Sequence, residues 1–250
     1  MENSLGMKAR NERFERWSTC SLCKQLYHGV VAGALGWASW KTYVGRPEVD
    51  QTRRLAMGQL VNGLFDANHH EDALSVKKAE LSLCRRLGAS ENNILIVQSN
   101  LASTYRALGR LEYALRMRRE VYSEYVKIHG EEHGETLIQT NNLANLLIDL
   151  KRYEEAKSLM LEMIPVAQRV LGESKELTLR MRTNYAMSLY QIDGATLDDL
   201  RESVTTLEET ERIARRVLGG AHPVTVDIED RLRDSRVALR ARETPLGTAQ

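Results

Sequence analysis

The chain has 250 residues, 42% apolar and 28% charged, and its 35 basic and 34 acidic side chains leave a formal charge of +1. That balance carries no electrostatic footprint for nucleic acid, and three cysteines are too few for a disulfide framework, which points to a reducing, cytoplasmic setting. The most apolar run, VVAGALGWASW at 30–40, falls well short of the roughly 18–20 residues that cross a bilayer, so no membrane span is expected.

The chain opens on the polar MENSLGMKARNERFERW, which lacks the charged-then-apolar order of a signal segment. WSTCSLCKQLYHG (17–29) comes next, with Cys20 and Cys23 in C-x2-C spacing and His28 five residues on. Zinc needs about four ligands in a tetrahedral array, and this stretch supplies two. Cys84, within LSLCRRL, reads as a small buried thiol, and His69 and His70 fall at a helix–helix break. Cys20, Cys23 and His28 with one distant ligand would make a site, and purely structural cysteines are the alternative. Two ligands cannot close a structural zinc site alone, so no metal site and no cofactor are expected. VVAGALGWASW, punctuated by Gly45 and Pro47, predicts a helix over 30–44, with an apolar face packed on the first unit of a repeat.

That repeat occupies the rest of the chain. Gly88, Gly130 and Gly172 stand 42 residues apart, and Gly219 comes 47 later. Asn100, Asn142 and Asn184 keep the step of 42, as do Leu95, Leu137 and Leu179, and Ala102, Ala144 and Ala186. A fixed period of this size signals a solenoid. Each unit reads as two helices. The first holds NLASTY, NNLANLL or TNYAMSLY, and in the second of these Leu137, Thr140, Leu143, Ala144 and Leu147 fall on one face. The second helix opens with EDAL, LEYAL or YEEAK and closes near a glycine that accepts the left-handed capping conformation. Ala73, Ala114 and Ala156 are small enough to let paired helices approach. The basic doublets Lys77–Lys78, Arg85–Arg86 and Arg118–Arg119 sit among glutamates and read as solvated helix faces. The fourth unit carries five extra residues in QIDGATLDDL, expected as a longer inter-helix loop with Thr196 or Asp198 capping the next helix. RLRDSRVALRARE places charge where NLA should stand, which suits a terminal capping helix. The expected organisation is an N-terminal segment over 1–46, a repeat region over 47–243 and a frayed tail over 244–250.

The expected fold is all-α: a right-handed helical-repeat solenoid of about four helix pairs with N- and C-terminal capping helices. No phosphate loop and no HExxH motif occurs, and no catalytic residue is expected. His133 and His222 recur at one point of the linker, which argues for a linker role. Glu154–Glu155 and Asp198–Asp199 fall at helix starts, where they favour the positive end of the dipole.

The linkers LGGAHPVT (218–225) and HGEEHGET (129–136), the NNLA of the first helix and the YEEA of the second resemble tetratricopeptide repeats of the 42-residue kinesin light chain type, over about residues 50–240. The long heptad segment by which kinesin light chains join their motor partner is not found, so the chain is not read as a motor subunit. The resemblance implies a non-catalytic adaptor that binds a protein or peptide in a concave groove lined by the first helices. Counting from the buried leucines, the inward line is Ile96, Asn100 and Ser103, then Ile138, Asn142 and Asn145, then Arg180, Asn184 and Met187. An asparagine amide both donates and accepts, so it can bond a peptide backbone without regard to sequence. In the resembled family, asparagines of the NLA motif contact peptide, which implies that role for Asn100, Asn142 and Asn184. The alternative is that they tie adjacent helices together. Asn145, Arg106 and Arg180 complete the candidate set. Arg106, Arg180 and Arg182 favour an acidic peptide while Asp66 and Asp149 oppose one, so ligand charge stays open.

WSTCSLCKQLY is also similar to the closing segment of RING-CH zinc fingers, where a tryptophan precedes a final C-x-L-C-K and then an aromatic residue. Only the last ligand pair, Cys20 and Cys23, is matched, and the six earlier ligands would lie upstream of Met1. This second resemblance implies an alternative function: the substrate-recruiting part of a RING-CH-type ubiquitin ligase.

Overall fold

The structure, a computed structural model, describes residues 14–244; residues 1–13, and all but Thr244 of the frayed tail expected over 244–250, lie outside the described residues. Among the described residues the chain forms ten long helices and no strand ladder, with one isolated antiparallel bridge between Thr19 and Leu26. The helices gather into two compact units, one ending at Ala114 and the other beginning at Leu115. That division falls inside a helix.

The N-terminal unit holds α1 (Gly29–Tyr43), α2 (Gln51–Asp66), α3 (His70–Arg86), α4 (Glu91–Ala107) and the first residues of α5 (Leu111–His129). The helix expected over 30–44 is present as α1 and packs on α2 largely through small residues, with Tyr43 buried and Trp40 packed against the core beneath. Its buried positions are Gly33, Gly36, Ser39 and Tyr43, while Val30 is 82% and Trp37 45% exposed. Small residues win that face because the two backbones nearly touch. A β-carbon on Gly63 would stand 2.4 Å from the Ala32 carbonyl oxygen, and one on Gly36 2.9 Å from that of Gln59. Asp50 caps α2 by accepting from the amides of Thr52 and Arg53. Beneath α1, Leu60, Val61, Leu64 and Ala73 form the unit's core.

The C-terminal unit holds the rest of α5, then α6 (Gly134–Asp149), α7 (Tyr153–Leu171), α8 (Glu176–Gln191), α9 (Leu197–Val217) and α10 (Pro223–Glu243). Leu137, Ala144, Met160, Met163, Met181 and Leu189 interlock in one core cluster of α6–α8. A second cluster joins Leu179 and Ala186 to Leu207, Val224, Ile228 and Leu232, so α10 covers the last helix pair. The predicted small positions Ala73, Ala114 and Ala156 are fully buried, as are Ala102, Ala144 and Ala186.

Two expectations are corrected. The five extra residues of the fourth repeat do not all enter the loop. The α8–α9 connection has room for only part of them, because α9 opens at Leu197, in the middle of the inserted stretch, and runs for 21 residues against 19 in α7. Thr196 is its cap, in a reciprocal box with Asp199: each side chain bonds the other's backbone amide. The Thr196 hydroxyl, then Lys157 at 2.9 Å, pull the Asp199 carboxyl down to about 2. The basic doublets are not wholly solvated either. Lys77 is 6% and Arg118 7% exposed. Lys77 is paired with Glu80 at 2.8 Å, and Arg118 donates to the Gln139 side-chain oxygen Oε1 at 3.4 Å. Both occupy the inward repeat position later filled by Met160 and Leu207, which are fully buried. A helix period read from apolar residues alone passes over an inward cation.

The turn inside each pair needs one left-handed residue. Gly109 serves in the second repeat, but Asn68 and Lys151 adopt φ of 61° and 58° in the first and third. A side chain with a β-carbon is strained there by about 1–2 kcal/mol, and asparagine tolerates it better than lysine. Part of that gain is offset by the larger freedom of an unfolded glycine. Lys151→Gly is therefore expected to stabilise the chain by about 0.5–1 kcal/mol, read as a raised midpoint in urea titration with unchanged slope.

Candidate functional site

α6 is enclosed around most of its circumference. Ten of its side chains, from Thr136 to Ile148, are buried, and solvent reaches a single stripe: Glu135, Ile138, Asn142, Asn145 and Asp149. The spacing of that stripe matches the helix period. The helix starts at His133, whose Nδ1 accepts from the Glu135 amide at 3.2 Å; His222 does the same for α10, accepting from Val224 at 3.3 Å. The recurring linker histidines are helix caps.

At the opening of α6, the stripe runs into a cleft of about 580 Å³ lined by Ile138, Leu171, Leu177, Lys175, Glu176 and Arg180, among others. It brings together Ile138 and Arg180 from the expected inward line. Arg180 is held by Glu176 at 2.8 Å. Asn142 and Asn145 are half-buried along the same stripe of α6. Asn184 is not on an open surface: it is buried, and its Nδ2 donates to Asn141 Oδ1 at 2.9 Å, joining α8 to α6. Counting from the leucines misses Asn141. A signal for it exists in the sequence, since Ser99, Asn141 and Thr183 precede the three repeating asparagines and all three are buried polar residues. In the N-terminal unit, Asn100 and Arg106 are exposed on α4 and Ser103 donates to the Ser99 carbonyl.

The cysteines lie elsewhere. Residues 18–27 fold back as a tight turn: the Cys20 amide donates to Gln25 O at 2.8 Å, Lys24 N to Cys20 O at 3.0 Å, and Tyr27 N to Ser18 O at 2.8 Å. Lys24 takes the left-handed conformation, φ 60°, that closes it. Amides of Cys23 and Leu22, and then the Cys23 thiol, bond the Cys20 sulfur and lower its pKa to about 7. Both are free thiols. Cys84 is buried in α3, and burial pushes its thiol up. Among the described residues no group of three or more histidine, cysteine or carboxylate side chains is placed to hold a metal, and no helix is long and apolar enough to cross a membrane.

Paired antiparallel helices repeated at this period, with a small-residue seam in each pair, define a helical-repeat protein. Residues 95–135 and 136–174 match the tetratricopeptide repeat. No curated protein sequence matches the chain. Among solved structures, a Podosopora anserina protein described as a kinesin light chain with nearly identical TPR-like repeats superposes with a TM-score of 0.63 at 18% identity, over 79% of this chain and 90% of that one. BtubC (BKLC) from P. vanneervenii superposes with 0.58 at 17% identity, over 84% and 91%. The chain thus carries tetratricopeptide repeats in an all-α helical-repeat fold of the kind seen in kinesin light chain structures.

Proposed function

We propose that the chain is a non-catalytic adaptor that binds an extended protein segment along the open stripe of α6 and into the cleft beside Arg180. The observation that carries this reading is the enclosure of α6: of a helix buried almost all round, the one strip left to solvent presents an isoleucine and two amides in line. An extended peptide advances about 3.3 Å per residue, so helices about 9–10 Å apart meet it at every third residue. Each amide bond adds about 0.5–1.5 kcal/mol net, so Asn142 and Asn145 steady a backbone while Ile138 and Arg180 select side chains. Asn100 and Arg106 are proposed to serve the same role on the N-terminal unit. An acidic ligand would have to draw Arg180 away from Glu176.

The test is selection from a random peptide library on the immobilised chain, then calorimetric titration of an enriched peptide. Asn142→Ala and Arg180→Ala are expected to weaken it several-fold with unchanged circular dichroism, whereas Asn184→Ala is expected to lower stability by about 1–3 kcal/mol because it strands Asn141. Folded Asn142 and Arg180 variants that bind as tightly as the parent would move the ligand surface elsewhere.

A second reading, the recruiting part of a RING-CH-type ligase, draws on the C-x2-C spacing of Cys20 and Cys23, which the turn at residues 18–27 holds. In-frame C-x2-C, C-x-C and H-x2-C coding sequence upstream of Met1 would support it.

A further inference from the structure

A cleft of about 220 Å³ opens in the N-terminal unit, where the stretch from Trp17 to His28 meets α1 and the last turns of α2. Small-molecule sites run to roughly 300–1,000 Å³, so this one has room for a single long side chain. Trp17 and Tyr27 give it aromatic surface, and Gln59, Asn62 and Asp66 line it from α2. Its polar groups are left open. The Trp17 Nε1 is buried with no acceptor, and among the described residues the Gln59 and Asn62 side chains make no hydrogen bond. A buried donor without an acceptor costs stability, which a ligand carbonyl would recover.

The charge in the cleft favours a cation. Asp66 is the last residue of α2, and the final turn of that helix holds no basic residue. The carboxylate and the negative end of the helix dipole therefore add at one place. Among the described residues Asp66 is paired only with His28, whose Nδ1 lies 3.4 Å away on a side chain that is 76% exposed. Aromatic faces attract guanidinium as well. The chain's own Arg16 lies 4.9 Å from the centre of the Trp17 ring, without lining the cleft.

We propose that this cleft takes the arginine side chain of a partner polypeptide. A planar guanidinium meets a carboxylate at two points and stacks on aromatic surface, so it pairs with Asp66 between Trp17 and Tyr27. The side-chain oxygens of Asn62 and Gln59 accept its remaining N–H groups. The backbone carbonyl of the partner accepts from Trp17 Nε1. Lysine, a point charge without the planar fork, is held less well, and an anionic side chain is repelled by Asp66 and the helix end. No residue of the α6 stripe takes part, so this site and the adaptor reading stand or fall separately.

The experiment is titration of the full isotope-labelled chain with blocked Gly-Gly-Xaa-Gly-Gly peptides in which Xaa is arginine, lysine or glutamate. The readout is the indole Nε1–H signals of the three tryptophans by NMR, with Trp17→Phe assigning the signal of interest. The arginine peptide is expected to move the Trp17 signal saturably, the lysine peptide to bind several-fold more weakly, and the glutamate peptide to leave it in place. Asp66→Asn should weaken the arginine peptide about ten-fold. His28→Ala, which removes a competitor for Asp66, should keep or tighten binding, and Asn142→Ala should not affect it. Circular dichroism checks the fold of each variant, and the comparison of peptides on the parent chain decides the matter even where Asp66→Asn unfolds. No saturable shift with the arginine peptide, an equal response to the glutamate peptide, or a folded Asp66→Asn chain that binds as tightly as the parent would each overturn the proposal.

Discussion

Gly63→Leu is expected to remove most of the stability of the N-terminal unit. The obstacle is backbone: the new β-carbon would lie 2.4 Å from the Ala32 carbonyl oxygen, 3.0 Å from its carbon and 3.2 Å from Gly33 Cα. No rotamer relieves a clash at the β-carbon, so α1 must lift from α2. Lifting exposes the face over Leu60, Val61 and Leu64. Overpacking of a core typically costs about 1–3 kcal/mol, and loss of the covering helix adds to it, so at least about 3 kcal/mol is expected out of a total of about 5–15. Gly58→Ala on the same helix is the control. Nothing lies within 4 Å of its β-carbon, and alanine is the better helix former by about 1 kcal/mol, so that variant should melt at or above the parent. Deleting residues 1–46 should reproduce the leucine effect. Chemical denaturation followed by hydrogen exchange reads all three. Gly63→Leu melting together with Gly58→Ala would mean that α1 is not docked on this face.

Ile228→Asp should have a comparable effect on the C-terminal unit. Ile228 is fully buried in α10 among Leu179, Ala186 and Leu207, where a carboxylate finds no cation and no donor in the cluster. An uncompensated charge in such a place costs about 3–5 kcal/mol, even after it takes up a proton. Val237→Asp, on the same helix but 61% exposed, should change stability by no more than about 0.5 kcal/mol. Thermal melts of the pair separate burial from charge. Equal melts would show that α10 does not cover the last pair.

The repeat itself is legible in the sequence because it obeys one-dimensional rules. Glycines at the repeat step mark helix ends that need positive φ, and Gly88, Gly130 and Gly172, with Gly219 after the longer fourth unit, all have it. The buried alanines come from the same step. What sequence spacing hides is direction and partner. The apolar letters of α1 suggest an apolar contact, but a two-backbone approach selects the glycines and turns Val30 and Trp37 outward. Asn184 shares a register with Asn100 and Asn142, yet its partner is Asn141 on the first helix of the preceding pair, and a partner 43 residues away leaves no mark on local spacing. Charge alone marks Lys77 and Arg118 as solvated, whereas their place in the repeat puts them inside. Of the candidate groove, the stripe on α6 can be counted out from the leucines; the cleft at its end depends on how α7 and α8 return, which no single helix encodes.

The inward cations also bear on how such a chain avoids assembling out of order. Helix pairs this alike could exchange places during folding, a recognised hazard of repeat proteins. Lys77 carries its own acceptor, Glu80, one turn on, and Arg118 finds Gln139 on the next helix. The third and fourth pairs offer Met160 and Leu207 at that position, in slots lined by methyl groups. A pair that docked in its neighbour's place would bring a cation into a greasy slot, or leave an amide facing a methionine. Each module is keyed to its seat, and a tandem duplication or shuffling of these pairs should fold less readily than their outward similarity suggests.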